Sequence, residues 1–416
     1  MGKWYLSTRL VALVAVMALS TGVLGATAAF PQPTSEAAVA DQAAAGGAAN
    51  APTAQLTPLV VSTFARPHPV LGTDNRIHLA YELQLSNIAA TTLTIERVQV
   101  LDPSRDARVV DELSGEELAS RLIVFGSSPT SPPTKQFGPG VGGFLFMDVT
   151  YRKGERLPDR LKYRFKVSTS EDAGSDNSFP AGPTLVAQDD PVVVGAPLSG
   201  KRWLAGEGCC ETITSHRGAI FPIDGTFHSP ERFAIDWVQV GTNGKLWKGP
   251  RDELSSYPYY GAKVRSVAAG RVVATRDDLE EQTPGTSPSG LALEEYGGNH
   301  VTVDIGDGRY AYYAHLQKGD EGVLVERGDR VREGQVIGKL GNTGNTDAPH
   351  LHFHIMDGPS VLLSNGLPFE IESFRTVGRL TNYDAFQEGA SAKISSEQSG
   401  EHRRKLPLHR TVNNFR

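Results

Sequence analysis

Three histidines recur at every second position in the run His350-Leu351-His352-Phe353-His354-Ile355. A β-strand turns alternate residues to opposite faces, so this spacing groups the three imidazoles on one side and Leu351, Phe353 and Ile355 on the other. The expected element is a half-buried strand, apolar behind, with an exposed face able to do chemistry. Imidazole can donate a lone pair to Zn2+ or move a proton near neutral pH, and neighbouring rings on one strand can divide these tasks.

Such a strand needs partners. Val301-Thr302-Val303-Asp304-Ile305 and Tyr310-Ala311-Tyr312-Tyr313-Ala314 read as strands on either side of the Gly306-Asp307-Gly308 turn. Val264 to Ala274 reads as a hairpin pivoting on Ala269-Gly270. Val331, Val336 and Ile337 stand beside turns at Gly328 and Gly334. The series predicts a mainly antiparallel β-sheet.

The ordered motifs Tyr313-Ala314-His315-Leu316, Gly328-Asp329-Arg330-Val331, Gly334-Gln335-Val336-Ile337-Gly338, Gly341-Asn342-Thr343-Gly344 and His350-Leu351-His352-Phe353 resemble those of the M23 family. These are the LytM/lysostaphin-type zinc metallopeptidases, which cut peptide cross-links in bacterial cell walls. The resemblance is dense from about 264 to 356, looser back to about 206, and absent from the first half of the chain. It implies a groove across the sheet, which the acidic, Pro- and Gly-rich segment 277–298 would either wall or leave untouched as a passive insertion. It implies further that His315 helps to stabilise a developing oxyanion, that His350 acts on the attacking water, and that His352 is a zinc ligand.

The family's other ligands sit in an HxxxD motif. The matching stretch here is Arg232-Phe233-Ala234-Ile235-Asp236, which makes Asp236 the ligand aspartate and puts Arg232 where a histidine belongs. Guanidinium has no lone pair to give a metal. His216 and His228 are the nearby substitutes. His216 is favoured because paired cysteines and then His-Arg surround it, whereas His228 lies in a turn rich in Gly, Ser and Pro; a simple surface role for His216 stays open. His354 departs from the usual family residue after HLHF. It is expected to support the metal shell, to bond a carboxylate such as Asp357, or to be exposed.

Cys209 and Cys210 are the only cysteines and are adjacent. A vicinal disulfide, closing a strained eight-membered ring, or a pair of buried thiols is expected in preference to a cysteine-ligated zinc, with intermolecular pairing open.

The domain reading is a signal peptide at 1–28, a disordered tether at 29–57, an antiparallel β-sandwich of unknown role at 58–196, the M23-like β-sheet peptidase domain at 197–375, and a flexible tail at 376–416. Lys3 and Arg9, an apolar run to Leu24 and Ala26-Thr27-Ala28 carry the first assignment. Alternation, as in Leu161-Lys162-Tyr163-Arg164-Phe165-Lys166-Val167, carries the sandwich; within it His68 and His78 read as structural or solvated.

The net charge of −6 argues against a nucleic-acid binder, and no stretch after the signal is suited to anchoring the chain in a membrane. The combined expectation is an exported, periplasmic or extracellular zinc metalloendopeptidase acting on peptidoglycan peptides. Two alternatives are a degenerate, non-catalytic M23-like module that binds the wall or activates other hydrolases, and an adhesin built on the sandwich.

Overall fold

A computed structural model describes residues 54–127, 131–169, 177–210 and 213–416. The expected signal peptide and most of the expected tether lie outside these residues. No helix among the described residues is long and apolar enough to cross a membrane.

The first half is a sandwich of two five-stranded sheets. One runs in the order Leu59–Thr63, Arg76–Asn87, Gly142–Arg152, Leu122–Val124, with Pro69–Leu71 also on Arg76–Asn87. The other runs Asn177–Leu185, Arg160–Thr169, Leu93–Asp102, Arg108–Ser114, with Gln136–Phe137 on the third of these. All their pairings are antiparallel. Leu161, Tyr163, Phe165 and Val167 point into the core while the lysines and arginine between them point away, as strict alternation requires.

Two strands of the first sheet break that pattern because both their faces are buried. Leu79, Tyr81, Leu83 and Leu85 enter the sandwich core, while His78, Ala80 and Glu82 on the opposite face are buried too. The second face packs against the C-terminal half, whose core takes in Val70 and Ala80. Phe144 and Phe125 meet Phe227 of that half, with centroids 5.1 and 5.6 Å apart.

The second half is built on a 13-stranded sheet. Its main path is Val192–Val194, Phe369–Leu380, Thr411–Phe415, Gly200–Gly206, Ile235–Gln239, Leu351–Met356, Arg309–Leu316, Asn299–Gly306, Gly270–Arg276, Arg330–Val331. Its pairings are antiparallel except that of Val192–Val194 with Phe369–Leu380. Trp203, Trp237, Tyr313 and Phe353 fill its core.

Two expectations fail here. The stretch from Val264 to Ala274 is not a hairpin: Lys263–Arg265 pairs with Val336–Lys339, and Gly270–Arg276 with Asn299–Gly306 and Arg330–Val331. The residues between cross from one sheet to another because other partners take their amides; Ser266 N donates to Gln335 O at 2.9 Å and Val267 N to the Tyr313 hydroxyl at 2.8 Å.

The supposed flexible tail is also ordered sheet. The boundary at 375 falls inside Phe369–Leu380, Gly400–Lys405 pairs with that strand, and Thr411–Phe415 lies between it and Gly200–Gly206. Val412 and Phe415 are buried, and Phe415 packs on Trp237 at 5.2 Å. A few apolar anchors spread through a polar stretch suffice once the neighbouring strands pair with its backbone.

Candidate metal centre

The strand Leu351–Met356 is buried on both faces. The histidine-bearing face expected to be exposed is covered: His352 and His354 are buried, and His350, just before the strand, is only partly accessible. Asp236 lies directly across from His352 in the antiparallel pairing with Ile235–Gln239, and its Oδ1 is 3.0 Å from His352 Nδ1. Ala314 is the partner on the other side and leaves room beside the ring.

His315, near the end of the strand Arg309–Leu316, reaches the same face by an unusual route. Plain alternation would send it to the side of Tyr313, into the core. Its φ of 59° is left-handed, a conformation that costs a non-glycine residue about 1–2 kcal/mol. The ring nevertheless meets His350 and His352, at centroid separations of 4.5 and 5.8 Å. Its Nδ1 donates to Thr343 O at 2.7 Å and its backbone N to Gly297 O at 3.0 Å, two contacts that offset the strain. His350 is held in the same manner, Nδ1 donating to Ala348 O at 2.8 Å.

His216 arrives from a short helical turn, Ser215–Gly218, whose N-terminus is capped by the Thr214 hydroxyl. Its Nδ1 donates to Ala234 O at 3.1 Å, which turns Nε2 toward Asp236 Oδ1 at 3.3 Å. His350 Nε2 is 3.4 Å from the same oxygen. One carboxylate oxygen therefore faces three imidazoles. Burial alone would raise the Asp236 pKa, but His216 and His350 outweigh it and hold the carboxyl well below its usual range. Burial disfavours the charged form of His216, yet Asp236 beside it raises its pKa to about 10. His315 goes the other way: burial, then His350 and His352, keep it well below the ordinary histidine value.

Ligand atoms of His216, Asp236 and His352 lie within 4.8 Å of one another, as do those of His315, His350 and His352. The first set joins two neutral-capable imidazoles to a carboxylate, a donor combination suited to Zn2+ with a further position open. The five residues singled out in the sequence (His216, Asp236, His315, His350 and His352) thus converge on one site. Arg232 is turned away from it and paired with Glu82 of the sandwich. His228 lies on the ribbon Thr226–His228, opposite Phe221, and belongs to neither donor set. Cys209 and Cys210 are joined to each other in a disulfide.

Some site residues had no signal in the sequence. A cleft of about 70 Å³ beside Asp236 and His350 is lined by Glu207, Trp247, Arg251 and Tyr383, which are far apart in the chain. Glu207 accepts from Ser215 N at 3.0 Å and from the Tyr383 hydroxyl at 3.0 Å, so it steadies the turn bearing His216.

Comparison with known proteins finds similarities in the C-terminal half. Residues 256–363 match the profile of Peptidase family M23. The chain is 41% identical over 61 residues to the peptidoglycan DD-endopeptidase ShyA of Vibrio cholerae serotype O1, covering 15% of this chain and 13% of ShyA. It is 36% identical over 118 residues to the glycyl-glycine endopeptidase ALE-1 of Staphylococcus capitis, covering 28% of this chain and 26% of that protein. The matches therefore span only a minor part of these relatives' lengths. The crystallised catalytic domain of lysostaphin from Staphylococcus simulans overlaps 40% of this chain and 88% of its own, at 21% identity and a TM-score of 0.22. The similarity to Peptidase family M23 thus lies in the C-terminal half of the chain, at residues 256–363.

Proposed function

We propose that the protein is an exported zinc metalloendopeptidase that hydrolyses peptide bonds of peptidoglycan cross-links. The observation that carries this reading is His216, whose Nε2 faces Asp236 where the family's HxxxD histidine is replaced by Arg232. His216, Asp236 and His352 would hold the ion. Bound there, zinc would lower the pKa of a water and polarise the scissile carbonyl.

The remaining work falls to His315 and His350. Each gives its Nδ1 hydrogen to a carbonyl, so each exchanges protons with reactants at Nε2. His350 takes the proton of the attacking water, as the family resemblance implies. A hydrogen bond from His315 to the oxyanion requires a second proton on that ring, which its buried surroundings oppose. His350 therefore carries the transfer: the proton it takes from water at Nε2 is delivered from the same nitrogen to the departing amine, while neutral His315 beside it accepts a hydrogen bond at its own Nε2. The partners are peptidoglycan peptides, by analogy with the activities of ShyA and ALE-1.

The rival reading, a non-catalytic wall-binding module, rests on Arg232. It loses force because Arg232 has a separate ionic partner and another histidine faces the carboxylate. The deciding experiment measures zinc content and peptidoglycan digestion of the purified chain, with and without chelator. Near-equimolar zinc and chelator-sensitive release of peptides support the enzyme; wall binding without zinc or digestion overturns it.

A further inference from the structure

Glu82 is a buried carboxylate in the sandwich with no exposed surface, and it faces the C-terminal half. Both of its oxygens accept from Arg232 Nε, at 3.1 and 2.9 Å. Arg217, fully buried, brings Nη2 to 3.9 Å from the same carboxylate. Arg217 also donates to two carbonyls, Met147 O in the sandwich at 3.0 Å and Cys210 O. Its guanidinium lies 5.7 Å from the ring of Phe146, and that of Arg232 5.8 Å from the ring of Phe64. Both aromatic rings belong to the sandwich.

These arginines occupy telling positions. Arg217 follows His216 on the same helical turn. Arg232 opens the segment that carries Ala234, whose carbonyl orients the His216 ring, and Asp236. Two buried cations on the segments that bring in two of the three donors thus share one carboxylate from the sandwich, Arg232 in direct contact and Arg217 at longer range with Asp148 also acting on it. Removing one member of a buried ion pair leaves an uncompensated charge, so the segments would shift to reach water.

We propose that the β-sandwich is a working part of the metal centre, with Glu82 as the positioning residue that holds the His216 turn and the Arg232–Asp236 segment in register. This rests on the assignment of His216, Asp236 and His352 as ligands. On this view Arg232 has exchanged the ligand role of its position for a structural one, and the sandwich is more than a tethered binding module.

The test uses the full-length metal-free chain, as wild type, Glu82→Gln, the charge-retaining Glu82→Asp and Arg232→Lys, with the exposed Glu112→Gln as control. Arg232→Lys keeps the charge and loses the paired donors, and it serves if Glu82→Gln fails to fold. Hydrogen exchange reports the clamp, and titration with Co2+, read by its visible spectrum, reports ligand geometry. In Glu82→Gln, amides of 214–218 and 232–236 should exchange faster than in wild type while those of 299–316 do not change. Its Co2+ affinity should fall about 10-fold or more, with an altered spectrum, and Glu82→Asp should recover part of both. Unchanged exchange and unchanged Co2+ binding in both Glu82→Gln and Arg232→Lys overturn the proposal. Faster exchange in a chain whose wild type takes up no Co2+ supports the clamp and refutes the ligand assignment alone.

Discussion

His352 Nε2 lies 3.0 Å from Nδ1 of His354, two residues on along the same strand. His352 uses its other nitrogen, Nδ1, toward Asp236. A ring that ligates a metal through Nδ1 must carry its hydrogen on Nε2, and His354 Nδ1 is the acceptor for that hydrogen. Burial, then His352 and His216, keep His354 well below the usual histidine pKa, so it remains neutral and able to accept. The tautomer leaves the hydrogen of His354 on Nε2, a buried atom with no hydrogen-bond partner among the described residues. His354→Gln, which still offers an acceptor, should keep zinc affinity within a few-fold. His354→Leu should lower it about 10- to 100-fold. Equal affinities in the two variants would refute the tautomer role.

Zinc content discriminates the ligand sets. His216→Ala, Asp236→Ala and His352→Ala should each abolish equimolar zinc, and His228→Ala should leave it intact. Metal analysis after gel filtration reads the result; zinc retained by His216→Ala would return the third ligand to an open question.

His315 and His350 should separate binding from turnover. His315→Ala and His350→Ala are expected to retain zinc and to lose roughly 10²- to 10⁴-fold in kcat on peptidoglycan fragments. A variant that loses zinc and activity together would belong to the ligand set instead.

His78 predicts a pH dependence remote from the metal centre. Its Nδ1 lies 3.0 Å from Asp148 and its Nε2 3.3 Å from Asp74. Burial disfavours its charge, but the two carboxylates prevail and raise the pKa from 6.5 to about 10. A pKa raised by folding stabilises fully below the unfolded value and ceases to do so as pH rises through the folded one. The stability advantage of wild type over His78→Gln should therefore be greatest below about pH 6.5 and shrink steadily toward pH 10. Chemical denaturation across that range checks it, and a constant difference would mean a neutral His78.

Ending the chain at Arg375 should be destructive. It removes Thr411–Phe415, an internal strand of the sheet, and exposes the edge of Gly200–Gly206. The truncated protein is expected to aggregate or to lose cooperative unfolding, as followed by circular dichroism; a soluble, cooperatively folded product would return 376–416 to the status of a tail.

Local periodicity was legible from the residues alone. The two-residue spacing of His350, His352 and His354 determined that they share a face, and the alternation of 161–167 determined a half-buried strand. The chemistry of guanidinium excluded Arg232 as a ligand whatever the fold. Only the tertiary structure decided that His216, well before Asp236 in sequence, points at its carboxylate, because that depends on a helical turn clamped from another domain. Only it decided that the histidine face is covered, that His315 departs from alternation through a left-handed φ, and that 376–416 is sheet. Periodicity reports which way neighbouring side chains point along one strand; burial, ionic partners and strand order depend on contacts between residues distant in the chain, and those carry no local signature.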